Sequence, residues 1–339
     1  MKNEHEETLE RGSKRLKRDP ANNTISVYSW NVSDLRPTVR DFLHSKNTIS
    51  SYFTPINTPT SLEKTSSTRS KLRNILAHYD FPCIFCIQEV KLNREDEEYM
   101  QAAELAANWN SDTDGSPRYT LHWNLAHDRY DAGYAGGRMY GVCTLVRNDI
   151  ALSRVERFDW DLEGRILCIL VGNIRVFNIY AVNGTLKAYR DPETGHASGT
   201  RYDWKLRFTE LLAEEVCRSP CILAGDFNVT RYPIDATQPL RQGRNALARA
   251  FFNEHFVSKL ELCDTFRHLH PESREYSWHK PSAAHLSDSS RVDMIFLSRE
   301  LQKKVVNAGI RQKKEDLWGS GDHTPIFMGL EASAFRCDM

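Results

Sequence analysis

Apolar and polar residues alternate along much of this chain with a period of two, and several of the apolar runs stop abruptly at a polar side chain. Residues 25–30 read Ile-Ser-Val-Tyr-Ser-Trp, the pattern of a half-buried strand, and end at Asn31. Residues 83–87 form a continuous apolar run, expected to be a fully buried strand, that delivers Gln88-Glu89. Strands are also predicted over 119–125, 140–146, 276–278, 292–297 and 326–330, and a hairpin joins 166–171 to 174–180 through Gly172-Asn173. The run 221–224 leads into Gly225-Asp226-Phe227-Asn228, where the glycine is expected to let the backbone turn and Asp226 and Asn228 emerge on alternate positions. Helical spacing appears at 35–43, 70–78, 95–107, 204–216 and 245–256, and 185–200 reads as a turn-rich loop. Strands outnumber helices and come both as hairpins and as strand–helix pairs. That mixture predicts an α/β fold of two packed, mostly antiparallel sheets with helices outside.

Residues 1–22 are charged and aperiodic, expected as a disordered tail; 23–334 read as one domain with a flexible insertion at 45–70, and 335–339 as a short tail. Lysine plus arginine (45) equals aspartate plus glutamate (45), so a polyanionic partner would have to be met by local patches, such as the loops carrying Arg129, Arg138, Lys187, Arg190 and Arg241. No apolar run is long enough to span a membrane, and the amino terminus lacks a secretory h-region. The cluster Lys14 to Arg18 suggests a nuclear protein, otherwise a cytoplasmic one, and no heptad suggests assembly beyond a monomer. Eight cysteines without metal-ligand spacing read as reduced thiols. Cys83 and Cys86, three apart in a strand pattern, are expected on opposite faces.

The strand-end polar residues are Asn31, Glu89, Tyr180, Asn183, Asp226, Asn228, Asp293, Asp322 and His323. Any one of them has an ordinary structural explanation, such as an Asx turn at Asp226 or a turn cap at His323. Together they lack the thiols and neutral histidines of a zinc site and offer oxygen ligands, which suit a hard divalent ion such as Mg2+, with Mn2+ as an alternative.

These segments resemble, in order and wording, the exonuclease III class of AP endonucleases within the endonuclease/exonuclease/phosphatase superfamily. The matching pieces are Ser29-Trp30-Asn31-Val32, Ile87-Gln88-Glu89, Tyr140-Gly141-Val142, Glu163-Gly164-Arg165, Tyr180-x-x-Asn183, Gly225-Asp226-Phe227-Asn228, Arg291-Val292-Asp293 and Asp322-His323-x-Pro325. The resemblance implies a four-layer α/β sandwich, a DNase I-like fold, and a Mg2+-dependent phosphodiesterase that acts on double-stranded DNA in repair, by incision at abasic sites and by 3′ trimming. It implies a metal held by Glu89 and Asn31, with Asp322 as a further ligand. Asp226, held by Asn228, would orient or deprotonate water, while His323, fixed by Asp293, would meet the phosphate. Tyr180 and Asn183 would position the phosphate or the leaving oxygen, and Tyr140 and Arg165 would contact the DNA backbone. The chain departs from the family pattern at Ser33, Val182, Ser290 and the inserted Gly321. Ser33 and Ser290 leave open a phosphoesterase of another substrate class, acting on RNA, inositol phosphates or phospholipid headgroups.

Overall fold

A computed structural model describes residues 23–43, 70–127, 139–191, 194–217, 220–280, 288–311 and 321–336. The tail 1–22 with its basic cluster, most of the insertion 45–70, and the loop arginines Arg129 and Arg138 lie outside the described residues. In chain order the strands are β1 (Thr24–Asn31), β2 (Ile84–Gln88), β3 (Tyr119–Asn124), β4 (Val142–Arg147), β5 (Leu152–Glu156), β6 (Ile166–Val171), β7 (Ile174–Tyr180) and β8 (Ala188–Arg190). They continue with β9 (Ala197–Thr200), β10 (Cys221–Asp226), β11 (Leu262–Asp264), β12 (Trp278–His279), β13 (Ser289–Ser290), β14 (Asp293–Ser298), β15 (Val305–Ile310) and β16 (Ile326–Glu331).

Two six-stranded sheets result, ordered β15-β16-β1-β2-β4-β3 and β11-β14-β10-β7-β6-β5. Each has one parallel pair at its centre, β1 beside β2 and β7 beside β10, flanked by antiparallel neighbours. Period two divides the side chains into layers. On β1, Ile25 and Val27 enter the core between the sheets, while Tyr28 and Trp30 pack outward with Leu72, Ile75 and Ala103 of the helices Lys71–His78 and Glu97–Ala107. On β10, Ile222 and Ala224 face the other sheet, while Cys221 and Leu223 meet Phe208 and Leu212 of the helix Arg201–Val216. The order helix, sheet, sheet, helix is the four-layer α/β sandwich that the resemblance implies, and it bears out the two packed sheets read from the pattern.

The inward row does not stay apolar. Farther along it carries Ser29 of β1, Gln88 of β2 and Asn178 of β7, which hydrogen-bond across the gap: Gln88 Nε2 donates to Asn178 Oδ1 at 2.7 Å and to Ser29 Oγ at 3.0 Å. Asn178 Nδ2 reaches the Cys143 carbonyl at 2.9 Å. The space between the sheets thus passes from hydrocarbon to satisfied hydrogen bonds, and it ends in ionisable groups. A buried polar layer of this kind holds one register, because a slip of one residue would leave its donors unpaired.

Several details differ from the pattern. Gly225 lies within β10 and makes no turn; a Cβ there would sit 1.8 Å from the Ile179 carbonyl oxygen, so glycine is required by the close approach of β7. Cys83 precedes β2, and both Cys83 and Cys86 lie in the core between the sheets, not on opposite faces, because strand alternation starts only at Ile84. Strands β5 and β15 gave no clear apolar run because they are sheet edges, half exposed and needing less hydrocarbon. The stretch 185–200 contains a small hairpin, β8 with β9. Ser70, placed with the insertion by composition, is buried and caps the helix Lys71–His78 by accepting from Arg73 N at 3.0 Å.

Candidate active site

The parallel pairs and their neighbours bring their polar ends to one edge of the sandwich. In the second sheet Asp226 lies opposite Tyr180 on one side and Asp293 on the other, so three strands deliver a row of functional groups. From the first sheet come Asn31, at the end of β1, and Glu89, just past β2 in a left-handed conformation with φ 52°. The turn before β16 adds Asp322 and His323. Phe227 points back into the outer core against Phe252 and Phe296, which fixes the two polar residues that flank it.

Asp226 is the hub. Asn31 Nδ2 donates to Asp226 Oδ2 at 3.1 Å and to Glu89 Oε1 at 2.9 Å, tying the two sheets together. Asn228 donates its backbone N–H to Asp226 Oδ1 at 2.8 Å, and its amide reaches the Ala181 carbonyl at 2.9 Å. His323 Nδ1 meets Asp293 Oδ2 at 2.8 Å, and its Nε2 lies 4.0 Å from Asp226 Oδ2. Burial, then repulsion from Asp293, lifts the Asp226 carboxyl to about 7. Burial alone would lower His323, but the carboxylates of Asp293, Asp226 and Asp322 override it and raise the ring to about 10, so the imidazolium persists at neutral pH. Burial and the charge of Glu89 hold the Tyr180 hydroxyl well above its ordinary value, which keeps it a neutral donor hydrogen-bonded to Glu89.

The structure corrects the reading of Arg165. Its side chain is 2% exposed and is paired with Glu163, which also binds Arg201. The guanidinium lies 3.9 Å from the Tyr140 ring centroid and 4.7 Å from that of Tyr180, and Nη1 donates to the Tyr180 carbonyl at 3.1 Å. Arg165 therefore stands behind the two tyrosines as a support, out of reach of a DNA backbone. Glu163-Gly164 is likewise an anchor and not an ordinary exposed turn. Tyr140 remains partly exposed in front of this support, and Asn183 is exposed at the rim of the cavity.

The cavity encloses about 430 Å3 and includes Glu89, Asp226, Asp322, His323, Trp278 and Ser290 in its lining. The Asp226, Asp293 and His323 ligand atoms lie within 4.8 Å of one another, a spacing that could hold a cation. A protonated His323, however, offers no lone pair, which leaves oxygen donors: Glu89, Asp322 and Asp226, with Asn31 beside them. That all-oxygen set, rich in carboxylates, fits a hard divalent ion. Asn31 donates its amide N–H groups to the carboxylates, and its oxygen accepts from the Ser33 N–H at 2.9 Å. At the departure positions, Ser33 Oγ donates to Asp322 Oδ1 at 3.0 Å and Trp278 Nε1 to Asp322 Oδ2 at 2.9 Å, so the carboxylate is held in place despite the added Gly321.

A sequence profile described as the Endonuclease/Exonuclease/phosphatase family matches residues 28–319. The chain belongs to that family. Among characterised relatives, an exodeoxyribonuclease of Bacillus subtilis is 26% identical over 253 residues, 72% of this chain and 86% of that protein. The DNA repair nuclease APEX1 of Danio rerio is 27% identical over 256 residues, 74% of this chain and 73% of that protein. A solved 3′-5′ exonuclease from Neisseria meningitidis superposes with a TM-score of 0.60 at 19% identity, covering 91% of this chain and 100% of its own. The AP endonuclease of Leishmania major does so with 0.60 at 19%, covering 93% and 89%. The resemblance to exonuclease III-class enzymes is thus borne out, and the solved structures share the fold of this family member.

Sequence reasoning missed Lys205. It sits on the helix Arg201–Val216, where helical period marks it only as one more position on an amphipathic face, yet it is 8% exposed and lines the cavity. Its Nζ donates to the Asn228 carbonyl at 2.7 Å, and burial lowers the ammonium to about 8 against the pull of Asp226. The inter-sheet pair Gln88 and Asn178 was also missed as a foundation of the site. Its signal was a polar residue at an inward position of each strand.

Proposed function

We propose that this protein is a divalent-metal-dependent DNA phosphodiesterase that incises duplex DNA on the 5′ side of abasic or damaged nucleotides and trims 3′ ends. The observation that carries this reading is the joining of Asp226, on one sheet, to Glu89, on the other, through the single amide of Asn31, with the imidazolium of His323 beside them. Its chemistry follows from the protonation states. Asp226, with a carboxyl tuned near neutrality, takes a proton from the attacking water as the new phosphorus–oxygen bond forms. His323, held charged by Asp293 through Nδ1, donates its Nε2–H to a nonbridging oxygen as negative charge grows there. Tyr180, kept neutral, and Asn183 hold the phosphate or the leaving 3′ oxygen, which departs as its bond to phosphorus breaks and takes a proton from solvent water. Glu89, with Asn31 and Asp322, would hold Mg2+ or Mn2+, which when bound polarises a phosphoryl oxygen. The substrate is double-stranded DNA, the active form is a monomer, and the basic cluster at Lys14 to Arg18 supports a nuclear location.

The test is cleavage of a labelled duplex bearing one abasic-site analogue, beside an undamaged duplex and a single-stranded RNA, with Mg2+ and with EDTA. Mg2+-dependent incision at the analogue, lost in Asp226→Asn, is the expected result. Trimming of intact 3′ ends without incision would keep the site and narrow the activity to an exonuclease. Folded protein inert on all three would overturn the reading.

A further inference from the structure

Lys205 is a buried cation whose placement the hydrogen bonds of the fold do not explain. Its one hydrogen bond among the described residues goes to a neutral carbonyl, that of Asn228, and no carboxylate oxygen of a described residue lies within 4.0 Å of Nζ. An ammonium carries three donors, and burying one without a paired anion is unfavourable; Asp226 acts on it only from beyond ion-pair distance. The fold nevertheless makes room for it. Gly184 follows Asn183 at φ +77°, and a Cβ there would come within 2.6 Å of Lys205 Cδ, so the lysine stem passes over a position kept bare. The stem runs along this gap into the same cavity that Tyr180, Asn183, Asp226 and His323 line. Asn228, at the other end of the lysine's hydrogen bond, is in the left-handed region with φ 52° and grips Asp226 through its backbone N–H.

We propose that Lys205 is a substrate-binding residue: its ammonium, anchored on the Asn228 carbonyl, receives a nonbridging oxygen of a DNA phosphate entering the cavity. The proposal rests on the phosphodiesterase reading above. It makes the bound phosphate the missing anion of a charge the fold buries in advance, and it places a fixed cation on the wall of the cavity that Asn183 borders.

Two variants separate this role from a structural one. Lys205→Gln keeps a donor near the carbonyl and removes the charge; Lys205→Arg keeps the charge. Binding of a duplex carrying an abasic-site analogue is followed by fluorescence anisotropy in EDTA across a salt series, with melting temperature measured for each protein. Lys205→Gln is expected to bind about 10-fold more weakly, and its slope of log K against log salt to be shallower by about 0.9, the signature of one lost phosphate contact. Lys205→Arg is expected to keep the wild-type slope. Because the ammonium pairs with no carboxylate of a described residue within 4.0 Å, Lys205→Gln is expected to melt no lower than wild type. An unchanged slope and affinity in Lys205→Gln would overturn the proposal. Should that variant fail to fold, the 15N resonance of the wild-type lysine ammonium is followed as duplex is added: a shift supports the contact and a fixed resonance overturns it. Wild-type protein that binds no duplex at all would instead remove the phosphodiesterase reading on which the proposal rests, and the proposal with it.

Discussion

Two buried clusters of charge lie on either side of Val292, and they are built on opposite rules. Toward the outer wall, Arg291 binds Asp235 and Asp264 together: Nε donates to Asp235 Oδ1 at 2.8 Å, and Nη2 to Asp264 Oδ2 at 2.8 Å. Arg267 adds to Asp235 and Arg231 to Asp264, so three guanidiniums surround two carboxylates and each carboxylate oxygen accepts at least two hydrogen bonds. Toward the cavity, Asp293 shares one oxygen with His323 while its buried Oδ1 has no partner among the described residues, and Asp226 is crowded by Asp293. The first cluster is saturated: it holds the Pro233–Asp235 turn against β14, and its Asp264 also caps the helix Thr265–Leu269. The second is left short of cations. A site that must bind a metal and a phosphate cannot have its charges already satisfied, and the deficit is stored stability surrendered for chemistry.

This contrast can be broken experimentally. Asp226→Asn should lower kcat by about 1,000-fold, in line with loss of a general base, while the melting temperature holds or rises because repulsion with Asp293 is relieved. Steady-state cleavage of the analogue duplex and a thermal melt check both halves; a large loss of stability would show that the hub is structural after all. His323→Gln should cost about 100-fold or more in kcat, again without unfolding the protein. Asp235→Ala should do the reverse: it strands Arg291 and Arg267 and should cost about 3–5 kcal/mol in urea unfolding, with near-normal turnover per folded molecule. Equal damage to activity and stability in both clusters would erase the distinction drawn here.

Acid sharpens it further. Burial opposes the charge of Glu163, but Arg165 and Arg201 prevail and depress its carboxyl from 4.5 to about 2. A depressed carboxylate stabilises the fold fully above its unfolded value and loses that contribution as pH falls from about 4.5 toward about 2. Glu163→Gln should therefore flatten the fall of stability over that window, measured as urea midpoint against pH. The smallest effect is expected at Ser33→Ala, which removes one hydrogen bond to Asp322 worth about 1 kcal/mol and should slow cleavage a few-fold.

What the sequence disclosed follows the range of the forces involved. Asn31, Glu89 and Asp226 could be read because period two and an abrupt polar residue are local signals, carried within five to eight positions. Arg165 could not, since whether a guanidinium faces solvent or lies behind Tyr140 and Tyr180 depends on chain folded from elsewhere. The same holds for Arg291, whose partner Asp235 is 56 positions away, and for Lys205, whose partner carbonyl is 23 away. Gly225 was visible as a glycine but not as a contact, because the pressure on it comes from the Ile179 carbonyl of a neighbouring strand.

The two sheets are not two halves of the chain. The first sheet takes β1 to β4 and then, after all of the second sheet has been threaded, β15 and β16; β16 pairs with β1 along its length. His323 stands three positions ahead of that strand. A chain cut back ahead of Asp322 would therefore lose His323 and leave β1 with β2 as its sole neighbour in the first sheet.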